Sequence, residues 1–400
     1  MNEQIKHARD IAIRILNPSK TELEHGLAIH KESVVVESYS LGVMAPLDGK
    51  RLSQKIEDGA TDIELQDLSE DMRITGWADR PELRQEYREI WEASGVTCSF
   101  QNAGEEGNDP LRLLKRLARH TYVTDKLSDT MMRAVHPDEI VIAKQNGKVC
   151  RYLTGNGIPL AGNQTNTQEE LRFIRVFYQL GVRMMHLTYN RRNPIGDGCG
   201  EPADAGLSEF GRETVKEMNR VGVLIDIAHS GRQTGLDAAA ASERPIVISH
   251  SCAASLSNHI RCKDDETIRA VIATGGTIGI TNVPYFLGGK GDIRTMLDHI
   301  DYVADRFGVE RLKSLCAAKI EAELSSASVC AVLVVADAHS AAELKQACVE
   351  YIVRNFPAMH QTDDFRELPR PLMEAVHAAL SSALFGGRSS GGSGVGMAVG

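Results

Sequence analysis

The chain has 400 residues, of which 42% are hydrophobic and 25% charged, as in ordinary globular proteins. Its formal net charge of −9 gives no electrostatic footprint for nucleic acid or an anionic membrane surface, so we expect neither as a partner. No run approaches the ~18 apolar residues of a membrane span, and the amino terminus lacks the apolar core of a secretory signal.

The eight cysteines are scattered along the chain without CxxC spacing. Nothing in their arrangement indicates an oxidising compartment or a zinc site built from cysteines. We therefore expect reduced thiols and a cytoplasmic location.

Short apolar runs alternate with amphipathic stretches, which is typical of βα units around a parallel sheet. The predicted strands are 33–37, 62–65 (the weakest), 96–101, 149–153, 184–188, 223–227, 246–249 and 277–281. The predicted helices between them are 110–120, 168–180, 208–221, 233–240 and 265–274. Ser208 and either Asp264 or Asp265 are candidate helix N-caps.

The character of the chain changes after residue 307. Residues 311–384 are poor in glycine and predict a set of helices, whereas 385–400 form a Gly/Ser-rich tail that we expect to be disordered. We place a domain boundary near residue 310. An alternative interpretation is that two unrelated coding segments are joined within 307–310.

Two predicted strands end in a histidine, His229 after VLIDIA and His250 after PIVIS. In a β/α barrel, the carboxyl ends of the strands face the active-site mouth, so adjacent strands bring such residues together. Imidazole is a good zinc ligand near neutral pH. One strand-end histidine is commonly structural, but two at matching positions favour a metal or catalytic site.

The segments GVRMMHLTYNRRNPIGDG, GLSEFGRETVKEMNRVGVLIDIAHSG and RPIVISHS…HIR resemble peptidase family M19, the renal-type (membrane) dipeptidases, over residues 30–310. This resemblance implies a TIM-like β/α barrel that uses zinc-activated water to cleave small peptides. His229 matches a zinc ligand, and His250 matches either a second metal ligand or the histidine that stabilises the tetrahedral intermediate. Arg261 matches the arginine that binds the substrate carboxylate, for which its bidentate guanidinium is suited.

Three parts of the family pattern are missing. The first strand carries Tyr39 and Leu41 where the family has a His-x-Asp pair, and Thr154–Gly157 has no acid in place of the bridging glutamate. The family's last strand, with its aspartate, is absent after Phe307, so the barrel is expected to lack its closing strand. Two cations close together repel strongly without an anion between them, so we expect one zinc ion at most. Its ligands would be His229, His250 and either Glu37 or Asp226.

Other polar residues have both functional and structural interpretations. Asp226 is a candidate catalytic residue that could orient a metal ligand, or it caps the strand end. Tyr189, Asn190 and Asn193 follow a predicted strand, where a substrate-binding loop or a plain turn would lie. His186 lies inside an apolar run, which predicts a core histidine.

Residues 311–384 resemble the helices that follow the BTB domain in plant MATH–BTB proteins, which recruit substrates to cullin-3 ubiquitin ligases. The resemblance lies in ADAH at 336–339 and LKQAC at 344–348. It implies a protein partner for this segment, and the alternative is a plain amphipathic helical bundle.

Three functions compete. The first is a zinc-dependent, dipeptidase-like hydrolase of dipeptides or related small amides. The second is a catalytically inactive homologue that binds a protein partner through the barrel mouth or the helical segment. The third is a different one-metal chemistry, such as that of a lyase or deaminase, because strand-end histidines are widespread in such barrels.

Overall fold

The computed structural model describes residues 3–104, 108–162, 166–307, 320, 324–338 and 341–385. Residue contacts divide the chain into two compact units, Met1–Asp301 and Tyr302–Gly400. The boundary predicted near residue 310 and all but the first residue of the tail predicted at 385–400 lie outside the described residues.

The first unit is built around one parallel sheet of eight strands. Seven of them follow the order β1-β2-β4-β5-β6-β7-β8. The short strand β3 pairs with residues 149–151 of β4, and β5 pairs with residues 153–155 of the same strand. The strands are β1 Val36–Ser40, β2 Cys98–Asn102, β3 Met131–Arg133, β4 Val149–Gly155, β5 Val182–His186, β6 Leu224–Asp226, β7 Val247–Ser251 and β8 Thr277–Ile280.

The sheet curls into a TIM-like barrel that stays open along one seam, between β1 and the β7–β8 pair. Ser38 of β1 donates a hydrogen bond to the carbonyl of Ser249 in β7 at 2.7 Å, across this seam. Gly279 in β8 permits the close approach, because a Cβ there would collide with both of these residues. Among the described residues no strand follows β8, which confirms the prediction of a barrel without its closing strand.

Helices surround the sheet, and the five predicted between residues 110 and 274 are confirmed, four of them to within one residue at each end and the first with six more residues at its carboxyl end. Ser208 caps α9 by accepting a hydrogen bond from Gly211 N, and Asp264 caps α11 in the same way from Thr267 N. The helices of this unit are α1 Glu3–Leu16, α2 Lys20–Glu32, α3 Gly49–Glu57, α4 Asp62–Asp79, α5 Arg84–Ser94, α6 Pro110–Lys126, α7 Asp138–Gln145, α8 Thr167–Gln179, α9 Glu209–Val221, α10 Arg232–Ala241, α11 Asp265–Ala273 and α12 Pro284–Leu287, with a short 3-10 turn at Pro81–Leu83. A further helix, α13 Ile293–Arg306, crosses the boundary between the units.

The strand predicted at 62–65 was wrong, because these residues begin helix α4. Thr61 accepts a hydrogen bond from Glu64 N, and the Glu64 carboxylate accepts one from Thr61 N. This reciprocal capping box satisfies backbone donors that a strand would have paired elsewhere. The short strand β3 was not predicted from the sequence.

The second unit is helical in its described part. Its helices are α14 Val329–Ala338, α15 Ala342–Arg354, α16 Phe356–Met359, α17 Asp363–Arg366 and α18 Arg370–Phe385. They share a buried apolar core that includes Val329, Leu333, Cys348, Ile352 and Val376. None of the helices in the described part of the chain has both the length and the apolarity needed to cross a membrane.

Candidate functional site

Three histidines meet at the carboxyl ends of neighbouring strands. His186 is the last residue of β5, His250 lies near the end of β7, and His229 follows β6 by three residues. The centroids of their rings are 5.0–5.6 Å apart. The sheet therefore gathers these side chains at the position where barrels of this kind carry their active sites.

His229 is held by the loop that follows β5. Its Nδ1 lies 2.8 Å from Asn190 Oδ1, and the same oxygen accepts a hydrogen bond from Cys199 Sγ at 3.4 Å. Tyr189 stacks on the His229 ring, with centroids 3.9 Å apart. Because an amide oxygen only accepts hydrogen bonds, Nδ1 of His229 carries the proton and Nε2 keeps a free lone pair.

His250 is held by a hydrogen-bonded chain from β6. Ser249 Oγ donates to Asp226 Oδ2, and His250 Nδ1 lies 2.7 Å from the same Oγ. Since the single hydroxyl proton of Ser249 goes to the carboxylate, Ser249 accepts the Nδ1 proton of His250. Nε2 of His250 is therefore also deprotonated.

The two deprotonated nitrogens face each other. Nε2 of His229 lies 3.0 Å from Nε2 of His250. Two lone pairs at this distance repel unless a cation lies beside them, and the cation present is the Arg261 guanidinium, 3.1 Å from His250 Nε2. Partners on Nδ1 that leave Nε2 free to coordinate are typical around histidines that bind a metal. Two Nε2 atoms that face each other in this way offer two of the three protein ligands that are typical of a catalytic zinc site.

Arg261 approaches the same point from the loop after β7. Its guanidinium donates to His250 Nε2 at 3.1 Å and to the His250 carbonyl at 3.4 Å, and it lies over the Phe286 ring. Burial is the main reason that the pKa of Arg261 is lowered. The positive charge of Arg261 therefore lies close to the candidate metal ligands. There it is available to a substrate carboxylate, and it would repel a second metal ion.

Asp226 does not contact His229. It is buried, and its carboxylate accepts hydrogen bonds from Ser249 and from Ala228 N at 2.9 Å. Burial would raise the pKa of Asp226, but the nearby His186 and His250 together with hydrogen bonding lower it well below its usual range. Asp226 thus stays ionised and positions His250 through Ser249.

His186 lies at the site, in addition to being buried as predicted. It is the register partner of Asp226 on the adjacent strand, and its Nε2 lies 2.5 Å from Asp226 Oδ2. Nitrogen and oxygen atoms of His186, Asp226 and His250 all lie within 4.8 Å of one another. The Asp226 oxygens already accept several hydrogen bonds, so this group is better suited to orienting His250 than to binding a metal itself.

The positions of the missing acidic ligands are filled differently. Tyr39 stacks on His250 with centroids 3.8 Å apart, and its hydroxyl donates to Asn156 Oδ1 at 3.0 Å. Leu41 is 60% exposed. Glu37 is also exposed, and its carboxylate accepts a hydrogen bond from Ser99 instead of approaching the histidines. The aromatic ring of Tyr39 therefore occupies one side of the His229–His250 pair.

Burial keeps both histidines of the pair neutral. It lowers the pKa of His229 far below the ordinary value and that of His250 to about 2, with the charges of His186 and Arg261 adding to the effect. Lys263 is buried as well, which lowers its pKa to about 8. Neutral imidazole is the form that binds a metal.

A TIM-like barrel with buried histidines at its strand ends defines the class of this protein. The family model described as membrane dipeptidase (peptidase family M19) matches residues 25–312, and the chain belongs to this family. A second family model, for the BACK domain of BPM/SPOP proteins, matches residues 328–372, in line with the resemblance of this segment.

Two curated relatives are dipeptidases by name. The chain is 29% identical over 195 residues to dipeptidase tcpJ of Claviceps purpurea (strain 20.1), covering 48% of this chain and 44% of the relative. It is also 29% identical over 196 residues to dipeptidase verJ of Clonostachys rogersoniana, covering 48% and 49%. The chain thus spans less than half the length of the curated relatives that it matches.

Solved structures share the fold. An amidohydrolase from Pseudomonas aeruginosa is similar with a TM-score of 0.55 and 25% identity, over 70% of this chain and 73% of that protein. The probable dipeptidase PvdM from the same organism has a TM-score of 0.50 and 20% identity, over 72% and 70%.

Proposed function

We propose that the protein is a one-metal hydrolase that cleaves dipeptides or related small amides. Membership of the M19 family supports hydrolysis of this class of bond. The observation that carries the proposal is the 3.0 Å approach of the two deprotonated Nε2 atoms of His229 and His250. When bound there, zinc would polarise an amide carbonyl and activate water at neutral pH.

The tautomer of His250 supports the role of metal ligand for this residue. A histidine that stabilises an oxyanion must donate a proton to it, whereas Nε2 of His250 carries none because Nδ1 donates to Ser249. Asp226 is buried away from any substrate and acts as a positioning residue, keeping Ser249 Oγ an acceptor.

The other residues at the mouth bind and orient the substrate. Arg261 is the group suited to a free substrate carboxylate, because its guanidinium offers two parallel donors. In the structure it donates to His250 Nε2, so it must turn away from that atom for a metal to bind there. Asn190 fixes the tautomer of His229, and Tyr189 covers the ring.

Hydrolysis by the purified full chain tests the proposal. Zinc-supplemented protein is expected to cleave an unmodified dipeptide, and His229→Ala is expected to abolish cleavage while the variant stays folded, as shown by a cooperative thermal unfolding transition. His25→Ala, on an exposed face of α2, is the control and should keep full activity. Equal activity of the wild type and His229→Ala, or none in either, would contradict the proposal.

A second candidate function rests on a separate observation. Residues 328–372 match a BACK-domain model, and the helices around them have a core of their own. We propose that, if the barrel is inactive, residues 311–384 bind a protein partner. A partner that is retained by the full chain and lost on deletion of 311–384, with no dipeptide hydrolysis, would favour this function over the first.

A further inference from the structure

Two cysteines lie side by side where the Arg261 loop returns to the end of β7. Ala253 and Lys263 form a parallel bridge, in which Lys263 N donates to Cys252 O at 2.9 Å and Ala254 N donates to Lys263 O at 2.8 Å. Cys252 and Cys262 each precede one of the bridged residues. They are therefore neighbours across this bridge, with their side chains on the same face.

The lateral spacing of the two residues suits a disulfide. Both are free thiols, and each donates a hydrogen bond to a backbone carbonyl, Cys252 Sγ to Thr281 O at 3.7 Å and Cys262 Sγ to Phe286 O at 3.3 Å. Neighbouring strands are about 4.8 Å apart. Disulfides join residues whose Cα atoms are roughly 4.4–6.8 Å apart, so a bond between them needs little movement of the backbone.

Only one of the two thiols is open to reagents. Cys262 is half-buried and lines a cavity of about 280 Å³, whereas Cys252 is fully buried. The neighbouring Cys252 thiol, Ser257 and the backbone at His259 lower the pKa of Cys262 to about 7, against the effect of burial. Because thiolate is the reactive form of a cysteine, exposure and the lowered pKa both favour Cys262 as the attacking thiol.

A second pair of cysteines provides an internal comparison. Cys98 in β2 and Cys150 in β4 are register partners, and both are fully buried. This pair has a similar lateral geometry without an accessible member. Any difference in reactivity between the two pairs therefore reports access to Cys262.

We propose that Cys252 and Cys262 form a reversible redox dithiol, a modification site beside the candidate active site. The Cys262 thiolate attacks hydrogen peroxide, the O–O bond breaks, and a sulfenic acid and hydroxide form. The Cys252 thiol then attacks the sulfenic sulfur, forming the S–S bond and releasing water. Overall, two thiols are oxidised and one peroxide is reduced to two waters, and a small thiol such as glutathione reverses the change by exchange.

The disulfide would close a loop that carries Arg261. Ser251 Oγ already donates to the Arg261 carbonyl at 2.6 Å, and the Arg261 guanidinium donates to the His250 carbonyl. A covalent bond between residues 252 and 262 adds to these contacts and restricts the loop. The proposal therefore predicts slower amide hydrogen exchange in 253–261 after oxidation, whether or not the barrel is catalytic.

Peptide mapping of the folded full chain tests the proposal. The protein is treated with hydrogen peroxide, unfolded, alkylated and digested with trypsin. We expect peptide 233–261 joined to the dipeptide 262–263, released by dithiothreitol, with Cys98 and Cys150 alkylated as thiols. Cys252→Ser should leave Cys262 as a sulfenic acid that reacts with dimedone, and Cys262→Ser should leave Cys252 as a thiol.

Three results would overturn the proposal. The first is that Cys262 remains a thiol at peroxide doses that oxidise Cys199, which is also only partly buried. The second is oxidation of Cys262 to sulfinic acid with no link to Cys252. The third is equal cross-linking of Cys98 to Cys150. The wild-type chain alone distinguishes these results, so the test holds even if a serine variant fails to fold.

Discussion

His229 and His250 present their Nε2 atoms to each other at 3.0 Å, and neither nitrogen carries a proton. Hydrogen bonds at Nδ1 of each ring set this arrangement. Nδ1 of His229 bonds to Asn190, and Nδ1 of His250 bonds to Ser249, which in turn bonds to Asp226. The Arg261 guanidinium donates to His250 Nε2, so the pair is arranged for a cation beside it.

Removing the acceptor behind His229 should weaken metal binding. Asn190→Leu leaves Nδ1 of His229 without an acceptor, so the tautomer with a free Nε2 is no longer favoured. We expect zinc affinity, measured by competition with a chromogenic chelator, to fall roughly tenfold to a hundredfold. Asn190→Asp keeps an acceptor oxygen and should retain the affinity. Equal affinities in the wild type and Asn190→Leu would show that Asn190 does not fix the tautomer.

The zinc-free chain should lose stability on mild acidification. The folded-state pKa values of His229 and His250 lie below the unfolded value of 6.5, so the unfolded chain binds protons that the folded chain cannot. Their contribution to the free energy of unfolding is fully present above pH 6.5 and is lost as the pH falls toward the folded-state pKa values. For His250 this loss extends down to its folded-state pKa of about 2. Each histidine should contribute a slope of about 1.4 kcal/mol per pH unit below pH 6.

Urea unfolding in the presence of EDTA, between pH 7 and pH 5, measures this slope. His250→Gln should flatten it by the contribution of one histidine, whereas His25→Gln, on an exposed helix face, should leave it unchanged. Asp226 titrates below this window and does not contribute to it. An unchanged slope in His250→Gln would mean that His250 is not held neutral by burial.

Arg261 should recognise the substrate carboxylate. If it does, Arg261→Gln lowers kcat/KM for a dipeptide roughly tenfold to a hundredfold, the value of a charged hydrogen bond. The wild type should lose a similar factor on the C-terminal amide of the same dipeptide, and the variant should lose nothing further on the amide. Arg212→Gln, which removes an exposed surface ion pair, is the control. Equal loss by Arg261→Gln on both substrates would assign Arg261 another role.

Much of the barrel could be predicted from the sequence because its inner strands, β4 to β7, are buried on both faces. Continuous apolar runs identified seven of the eight strands, with shifts of at most three residues at their ends. The strand β3 has only three residues, Met131–Arg133, and its pairing with β4 is a tertiary effect that no local pattern records. Residues 62–65 begin a helix instead, because Thr61 and Glu64 form a capping box that the sequence shows as a Thr three residues before a Glu.

The site could be predicted only in part. His229 and His250 follow strands and are visible as a pattern, but their partners depend on register between strands. His186 and Asp226 pair because β5 and β6 align at their last residues, which a single sequence does not specify. Each residue lies within an apolar run and is the last residue of its strand, and a polar residue at such a position is the signal that could have placed His186 at the site.

Metal content tests the central claim most directly. The full chain, loaded with excess zinc and freed of loose metal by gel filtration, is analysed by inductively coupled plasma mass spectrometry. The account predicts one zinc ion per chain in the wild type and almost none in His229→Ala, with His25→Ala as the control. A content of zero or two zinc ions per chain, or an unchanged content in His229→Ala, would contradict a one-metal site at His229 and His250.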